Sequence, residues 1–240
     1  MQATSPSLEA QGEYWGQWGV ESSRGEGKGD PYDDRVCAIV REVAKRCTKR
    51  ERAADVGCGT GWLTTVLEDI FTHVWATELA PASVRIARQS APRAQFSEGD
   101  FLAVELPAPG DFTVSCEVVA HVRDQSAFFA RCRKLTTLGG RFLLFTQNPV
   151  TWSRNSYLHA ASENQLRHWL SRDEMRTLCE RAGFRVESIR TLEPIGDRGW
   201  LFWRPYANGV LRRVIGRQAT KSFFERMGLG RTLVVEAVAV

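Results

Sequence analysis

The sequence predicts a doubly wound α/β fold, in which helices cover both faces of a mostly parallel sheet. Short apolar runs typical of buried strands alternate with helical segments between residues 52 and 146, and this alternation requires crossover connections between parallel strands. A glycine-rich turn, Gly57–Gly61, follows the first of these runs. The 240 residues, 43% hydrophobic and 25% charged, have the composition of a globular protein and fit one large α/β domain.

The individual elements follow from the spacing of apolar residues. Four apolar side chains recur at helical spacing between Pro31 and Cys47, so a helix is predicted there. The short apolar runs that come next predict strands at residues 52–56, 73–77, 94–97, 111–116 and 141–146. The segments between them predict helices at residues 62–70, 82–89 and 125–135.

The regular alternation ends after Asn148. Ser171, followed by Glu174, forms a capping-box pattern that predicts a helix up to Ala182. Around this helix the pattern predicts a polar aromatic stretch at 149–170, a strand at 184–189, an irregular segment at 191–230 and a last strand at 232–240. We interpret the chain as a single domain (1–240) made of an N-terminal helical cap or lid (1–48), a cofactor-binding half (49–148) and a substrate-side half with insertions (149–240).

The net charge of +4 is unevenly distributed along the chain. Residues 196–240 carry eight basic and three acidic side chains, which form either a solvated face or a surface that attracts an anionic partner. The six cysteines form no CxxC pair, as is typical of reduced thiols in a cytoplasmic protein and not of a zinc site. The polar N-terminus predicts no signal peptide, and no apolar run is long enough to span a bilayer.

The glycine-rich turn is the first candidate site. Ligands of an open parallel sheet bind beyond the carboxyl ends of its strands, and Gly57, Gly59 and Gly61 let the backbone approach such a ligand. The third glycine comes one residue earlier than in the GxGxxG fingerprint of dinucleotide-binding proteins. Asp55, before the turn, would repel a pyrophosphate but suits the sulfonium and ammonium groups of S-adenosylmethionine. The turn therefore favours S-adenosylmethionine over a dinucleotide.

Two more acidic residues follow the next predicted strands. Glu78 ends the second strand, where a carboxylate can accept hydrogen bonds from both ribose hydroxyls. Asp100 follows the third strand and is placed to accept from the adenine amino group, with Phe101 or Leu102 covering the ring. Each acid alone is also typical of an exposed strand end, but the three in this order indicate an S-adenosylmethionine site.

Together these motifs resemble those of the class I S-adenosylmethionine-dependent methyltransferases. Asp55–Gly61 resembles their first motif, Glu78 their ribose acid and Gly99–Phe101 their adenine motif. Ser115–Val122 resembles the strand-four motif of the branch related to ubiquinone-biosynthesis O-methyltransferases. The resemblance implies a Rossmann-like sheet of seven strands, mostly parallel, whose antiparallel last strand is Thr232–Val240, and it implies S-adenosylmethionine as the cofactor.

One position departs from this branch. Its strand-four motif reads Glu-x-x-Glu-His, whereas Ala120 occupies the second Glu position in this chain. In some relatives these side chains help to hold a divalent metal, and the missing carboxylate removes a hard oxygen ligand. We therefore expect neither a metal nor a quinone acceptor.

His121 is the candidate catalytic base, because the ordinary pKa of histidine lies near the working pH. A structural histidine that holds the loop is an equally good interpretation. Glu117 is expected to receive the ammonium group of the cofactor. Tyr14, Trp15 and Trp18 are expected either to fold over the cofactor or to pack the N-terminal helix on the core.

The predicted cofactor-binding residues are Tyr14, Trp18, Asp55, Gly57, Cys58, Gly59, Gly61, Trp62, Glu78, Leu79, Asp100, Phe101 and Glu117. The predicted acceptor-binding residues are Trp15, His121, Asn148, Trp152, Tyr157 and Trp200. The predicted function is O- or N-methylation of a small molecule, for example in secondary metabolism, by a monomer or homodimer without nucleic-acid or membrane partners. An RNA or protein methyltransferase and a non-catalytic cofactor-binding subunit are the alternatives.

Overall fold

A computed structural model of the chain describes residues 6–25, 31–153, 163–194 and 213–240. The helices within these ranges are α1 (Leu8–Gly25), α2 (Pro31–Lys45), α3 (Trp62–Glu68), α4 (Pro81–Ser90), α5 (Gln125–Leu135), α6 (Pro149–Trp152), α7 (Arg172–Arg181) and α8 (Arg217–Arg226). The strands are β1 (Arg52–Val56), β2 (His73–Glu78), β3 (Gln95–Glu98), β4 (Gly110–Cys116), β5 (Thr136–Gln147), β6 (Phe184–Pro194) and β7 (Gly230–Ala239). A turn of 3-10 helix, Val119–His121, follows β4.

Seven strands of the described ranges form one sheet in the order β3-β2-β1-β4-β5-β7-β6. Strands β1 to β6 run in one direction, and β7 is antiparallel to both of its neighbours, β5 and β6. The order reverses between β1 and β4, so a crevice is expected at the carboxyl ends of these two strands. The predicted Rossmann-like sheet with an antiparallel last strand is confirmed.

Two apolar layers attach the helices to the faces of the sheet. Because side chains alternate along a strand, Leu143 and Phe145 of β5 pack with α2 and α3, whereas Phe142 and Leu144 pack with α5 and α7. All four side chains are fully buried. The sequence of a strand that is covered on both faces is a continuous run of apolar residues, which explains why β5 is readily recognised in the sequence.

Helix α1 lies in a segment where apolar residues show little periodicity. It packs on the start of α4 through glycines instead of large side chains. A Cβ atom added at Gly16 would lie 3.4 Å from Cβ of Ala82, and one at Gly19 would lie 2.5 Å from Oγ of Ser83. Because the contact is made by the backbone of α1, it leaves no apolar signal in the sequence.

Two elements on the substrate side differ from the predicted pattern. Strand β6 continues past Ile189 to Pro194, because its pairing with β7 extends as far as Gly230. Helix α8 lies in the segment 191–230, for which an irregular structure was predicted. Only two of its ten residues, Thr220 and Phe224, are buried, so packing on the core leaves few apolar positions in its sequence.

The described ranges contain neither a membrane-spanning helix nor a metal-binding cluster. None of their helices has the length and apolar character needed to cross a membrane. The same ranges contain no group of three or more His, Cys, Asp or Glu side chains that is arranged to hold a metal ion. All six cysteines are free thiols.

Candidate functional site

The glycine-rich turn connects β1 to α3 at the carboxyl edge of the sheet. Gly57, Gly59 and Gly61 have φ angles of 74°, 54° and 87°, a region that favours glycine. A Cβ atom at Gly57 would lie 2.1 Å from Cγ2 of Val118, which follows β4, whereas one at Gly59 would meet no atom within 4 Å. The backbone at Gly59 therefore borders open space that a ligand can enter, while Gly57 packs tightly against the end of β4.

Glu78, at the end of β2, is fixed by two backbone amides. Its Oε2 accepts from the Gly59 amide at 3.0 Å, and its Oε1 accepts from the Ala80 amide at 2.9 Å. Burial raises the pKa of this carboxyl group above its ordinary value, although the two amides oppose that shift. The arrangement presents a rigid acceptor beside the turn, as expected for a group that binds ribose hydroxyls.

Asp55 lies under the turn and is 1% exposed. Its Oδ2 accepts a hydrogen bond of 2.7 Å from the hydroxyl of Thr64 in α3. Burial raises the pKa of Asp55 to about 7, so a cation near the turn would favour its charged form. Cys58 is buried in the turn, and Trp62 is half-buried at the start of α3.

Helix α1 borders the side of the site on which Asp100 lies. A groove of about 920 Å³ runs between α1 and α4 and is lined in part by Gly12, Leu79 and Asp100. Asp100 accepts from the Leu102 amide at 2.9 Å, which fixes its carboxylate. The Phe101 ring is buried in the core against Phe128, with centroids 5.5 Å apart. This placement favours Leu102 over Phe101 as the residue that would cover adenine.

The aromatic residues of α1 are placed unequally. The Trp15 ring contacts the His121 ring, with centroids 4.5 Å apart, and Tyr14 packs edge-on against Trp15. Trp18 is 59% exposed and touches Trp15 only by an edge contact of 6.1 Å. Helix α1 thus covers the carboxyl edge through Trp15. The Trp18 ring was predicted to bind the cofactor, but the structure does not bring it to the cofactor turn.

His121 ends the 3-10 turn after β4. Its Nδ1 lies 2.6 Å from the Leu166 carbonyl oxygen. Because a carbonyl can only accept, Nδ1 carries the proton and Nε2 keeps its lone pair. Burial lowers the pKa of His121 to about 4, so the imidazole is neutral at physiological pH.

Two predicted acceptor-binding residues stabilise the carboxyl edge of the sheet by hydrogen bonds. Asn148 caps α6 and donates to the carbonyls of Gly228 and Gly230 at 3.0 and 2.7 Å. Its amide is 1% exposed and fully used, so the prediction that Asn148 contacts the acceptor is corrected. Trp152 donates its indole N–H to the Arg231 carbonyl at 2.9 Å, which leaves only its ring for an acceptor. Tyr157 and Trp200 lie outside the described residues.

With this geometry in place, the chain can be compared with known proteins. A family model described as a methyltransferase domain matches residues 31–189. The chain belongs to this methyltransferase family. The methyltransferase is 30% identical over 152 residues to a probable S-adenosylmethionine-dependent methyltransferase of Mycolicibacterium smegmatis, an overlap of 62% of this chain and 57% of that protein.

Two further comparisons agree with the family. A ubiquinone biosynthesis O-methyltransferase of Xylella fastidiosa is 39% identical to this methyltransferase over 105 residues, which are 40% of this chain and 42% of that protein. The solved DhpI–SAH complex has a TM-score of 0.65 at 14% identity, covers 97% and 96% of the two chains and shows the same fold. The chain spans about half the length of the curated relatives it matches. The predicted family and its cofactor, S-adenosylmethionine, are confirmed.

The methyltransferase has a carboxyl edge that fits this cofactor by its chemistry. Hydrogen bonds fix four acidic side chains there, Asp55, Glu78, Asp100 and Glu117, and the Gly59 backbone borders open space. Carboxylates suit a ligand that offers a sulfonium, an ammonium, ribose hydroxyls and an adenine amino group. The roles of the individual residues remain predictions.

Sequence reasoning missed a polar cluster that joins the end of β4 to the start of β7. It consists of Tyr32, Glu117, Arg231 and Thr232, of which only Glu117 was a candidate. The Tyr32 hydroxyl donates to Oε1 of Glu117 at 3.3 Å and lies 2.9 Å from the Thr232 hydroxyl. The one available signal was a charged residue, Arg231, directly before the predicted last strand.

Proposed function

We propose that this methyltransferase methylates an oxygen or nitrogen atom of a small-molecule acceptor. The observation that carries the proposal is His121, a neutral imidazole at the end of β4 that lies beneath Trp15 of α1. Helix α1 lies across this edge, since Trp15 contacts His121 and a Cβ atom at Gly19 would lie 3.6 Å from Cγ2 of Thr60 in the glycine-rich turn. An edge that a helix crosses in this way suits a small acceptor better than a macromolecule.

The protein's main contribution would be alignment of the two reactants. S-adenosylmethionine supplies an already activated methyl group when it is bound. Glu78 and Asp100, each fixed by backbone amides, would hold the ribose and adenine. Helix α1 would exclude water above the acceptor, which favours an in-line displacement.

His121 would take the proton that the acceptor loses. Nε2 keeps a lone pair because Nδ1–H is committed to the Leu166 carbonyl. The lowered pKa of His121, about 4, makes it a weak base, but a hydroxyl becomes strongly acidic as it is methylated, whereas a methylated amine can lose its proton to water afterwards. A neutral, oriented imidazole is therefore sufficient at physiological pH.

Methylation of a panel of phenols, carboxylic acids and amines with labelled S-adenosylmethionine tests the proposal. His121→Ala should lower kcat on an accepted phenol about 100-fold and leave the cofactor Kd within about twofold. His73→Ala, which removes an exposed histidine at the start of β2, is the matched control and should keep full activity. An unchanged kcat in His121→Ala would remove this residue from the mechanism.

The competing macromolecular function can be separated by RNA binding. It would use the basic segment 196–240, of which Arg213, Arg217 and Arg226 are exposed in the described ranges. The small-molecule proposal expects only weak filter binding of bulk RNA. Tight binding that falls steeply with added salt would contradict it.

A further inference from the structure

An irregular segment, residues 165–170, lies against the 3-10 turn that carries His121. Its residues belong to no helix or strand and directly precede Ser171, the cap of α7. Two hydrogen bonds join the segment to the turn. The His168 amide donates to the Ala120 carbonyl at 2.8 Å, and Nδ1 of His121 donates to the Leu166 carbonyl at 2.6 Å. The segment therefore supplies the acceptor that decides which nitrogen of His121 carries the proton.

Gln125, the first residue of α5, links the same two pieces of chain through its side chain. Its Nε2 donates to the Val119 carbonyl at 3.0 Å and to the His168 carbonyl at 2.9 Å. Because both partners are carbonyl oxygens, the NH2 group of the amide faces them and the amide oxygen does not. The residue is 7% exposed, so little water competes for these bonds. One buried amide thus shares its two donors between the turn and the segment.

The position of the Leu166 carbonyl depends on these contacts. The backbone of His168 is held at its amide by Ala120 and at its carbonyl by Gln125. Leu170 is buried in the core, which anchors the end of the segment that leads into α7. Leu166 lies on the other side of His168, away from that anchor. Of the hydrogen bonds described above, loss of those from Gln125 would leave the segment on the turn only through the Ala120 contact and His121 itself.

We propose that Gln125 is a positioning residue for His121: by holding the 165–170 segment on the turn, it keeps the Leu166 carbonyl at Nδ1 and the lone pair at Nε2. This inference rests on the proposed role of His121 as the base. The lone pair at Nε2 is the feature that a base needs, because the other tautomer would present an N–H to the proton of the acceptor. Gln125 would act through the segment and not by contact with the acceptor.

The segment also sets the surroundings of the imidazole. Burial is the main cause that lowers the pKa of His121, and the segment adds two opposed effects. The Leu166 carbonyl raises this pKa, whereas the charge of Arg167 lowers it. On the side of α1, the Trp15 ring contacts the imidazole. A displaced segment would therefore change the state of the His121 ring itself, which a spectroscopic measurement can detect.

Nitrogen-15 NMR of the labelled protein at neutral pH measures the tautomer of His121 without any substrate. The spectra separate a ring protonated at Nδ1 from one protonated at Nε2, and His121→Ala assigns the signal. Wild-type protein should carry the proton on Nδ1. Gln125→Met keeps the length of the side chain but removes both donors, and it should convert a large part of the population to the Nε2–H tautomer. Gln125→Glu is nearly isosteric, and its carboxylate cannot donate to either carbonyl, so it should give the same shift.

Activity measurements connect this signature to the reaction. Gln125→Met should lower kcat on an accepted phenol about tenfold and leave the cofactor Kd within about twofold. Because Gln125 would act through His121, the two substitutions should not be additive. Adding Gln125→Met to His121→Ala should lower kcat no further, and a further tenfold loss in the double variant would contradict the positioning role.

Two control variants separate positioning from damage to the fold. Ser126→Ala changes the exposed neighbour of Gln125 in α5 and should behave as wild type in both measurements. Asn148→Ala removes hydrogen bonds at another part of the edge and should lower stability, but it should keep the proton of His121 on Nδ1.

The outcomes distinguish this inference from the proposed function. An Nε2–H tautomer in the wild type, or an unchanged tautomer in both Gln125 variants, overturns the positioning role, whereas the methylation panel tests the proposed function independently. A shifted tautomer in Gln125→Met together with full kcat in His121→Ala removes His121 from the proposed mechanism and leaves the control of its tautomer by Gln125 in place.

Discussion

The cofactor side and the substrate side of the carboxyl edge are built by different kinds of contact. On the cofactor side, hydrogen bonds join residues that are close in sequence: Glu78 reaches Ala80 and Gly59 over 2 and 19 residues, and Asp55 reaches Thr64 over 9. On the substrate side, partners are far apart. Tyr32 and Glu117 are separated by 85 residues, and Trp152 and Arg231 by 79.

Because of this difference, the two sides depend on the rest of the molecule to different extents. Local contacts can form as soon as β1, β2 and their turns are in place. The substrate side exists only when β7 has inserted between β5 and β6 and has brought Arg231 and Thr232 beside Tyr32. We therefore expect mutations of the local contacts on the cofactor side to change ligand affinity, and mutations of the long-range contacts on the substrate side to change stability.

The largest effect is expected where the two sides touch, at Gly57. Gly57→Ala places a Cβ atom 2.1 Å from Val118 in a left-handed conformation and should lower the free energy of unfolding by about 3 kcal/mol. Binding of S-adenosylhomocysteine should be lost. Urea denaturation and calorimetry measure both quantities.

Gly59→Ala is the matched control for this position. Gly59 also has a positive φ angle, but a Cβ atom there would meet nothing within 4 Å. Gly59→Ala should therefore lower the free energy of unfolding clearly less than Gly57→Ala. Equal stabilities of the two variants would show that the contact between Gly57 and Val118 does not join the two sides.

Glu78 tests the cofactor side alone. Glu78→Ala removes the expected ribose acceptor together with the partner of the Gly59 amide, so binding of S-adenosylhomocysteine should weaken about 100-fold. Glu98→Ala is the control, because Glu98 occupies the register position beside Glu78 on β3 and is exposed. An affinity within twofold of wild type in Glu78→Ala would contradict the assignment.

Asn148 tests the substrate side alone. Asn148→Ala deletes the cap of α6 and two hydrogen bonds, to Gly228 before β7 and to Gly230 at its start, which should cost about 2 kcal/mol in the free energy of unfolding. Affinity for S-adenosylhomocysteine should change less than about threefold. Asn164→Ala, at an exposed position, should leave stability unchanged. If Asn148→Ala were as stable as wild type, its hydrogen bonds would not hold the edge.

The same contrast explains how much could be predicted from the sequence. The turn at Gly57–Gly61, Glu78 and Asp100 were identifiable because each follows its strand within a few residues, and strand ends meet at one edge. Arg231 and Tyr32 could not be assigned to a site, because only the insertion of β7 brings them to Glu117. Asn148 was misassigned for the same reason, since its partners Gly228 and Gly230 lie about 80 residues away.

Measured per pH unit, the smallest expected effect distinguishes two ionisable side chains that follow β4 by their response to pH. The pKa of His121 is lowered from 6.5 to about 4, so between these values the unfolded chain binds a proton that the folded chain does not, and stability falls as pH falls. The pKa of Glu117 is raised from 4.5 to about 7, so the folded chain retains a proton longer and stability falls as pH rises. Relative to wild type, His121→Asn should gain stability as the pH falls from 7 to 5, and Glu117→Gln should gain stability as the pH rises from 5 to 7. Each gain should be at most about 1.4 kcal/mol per pH unit. Denaturation at several pH values measures these slopes, and parallel curves for the two variants would show that burial does not set the charge of either group.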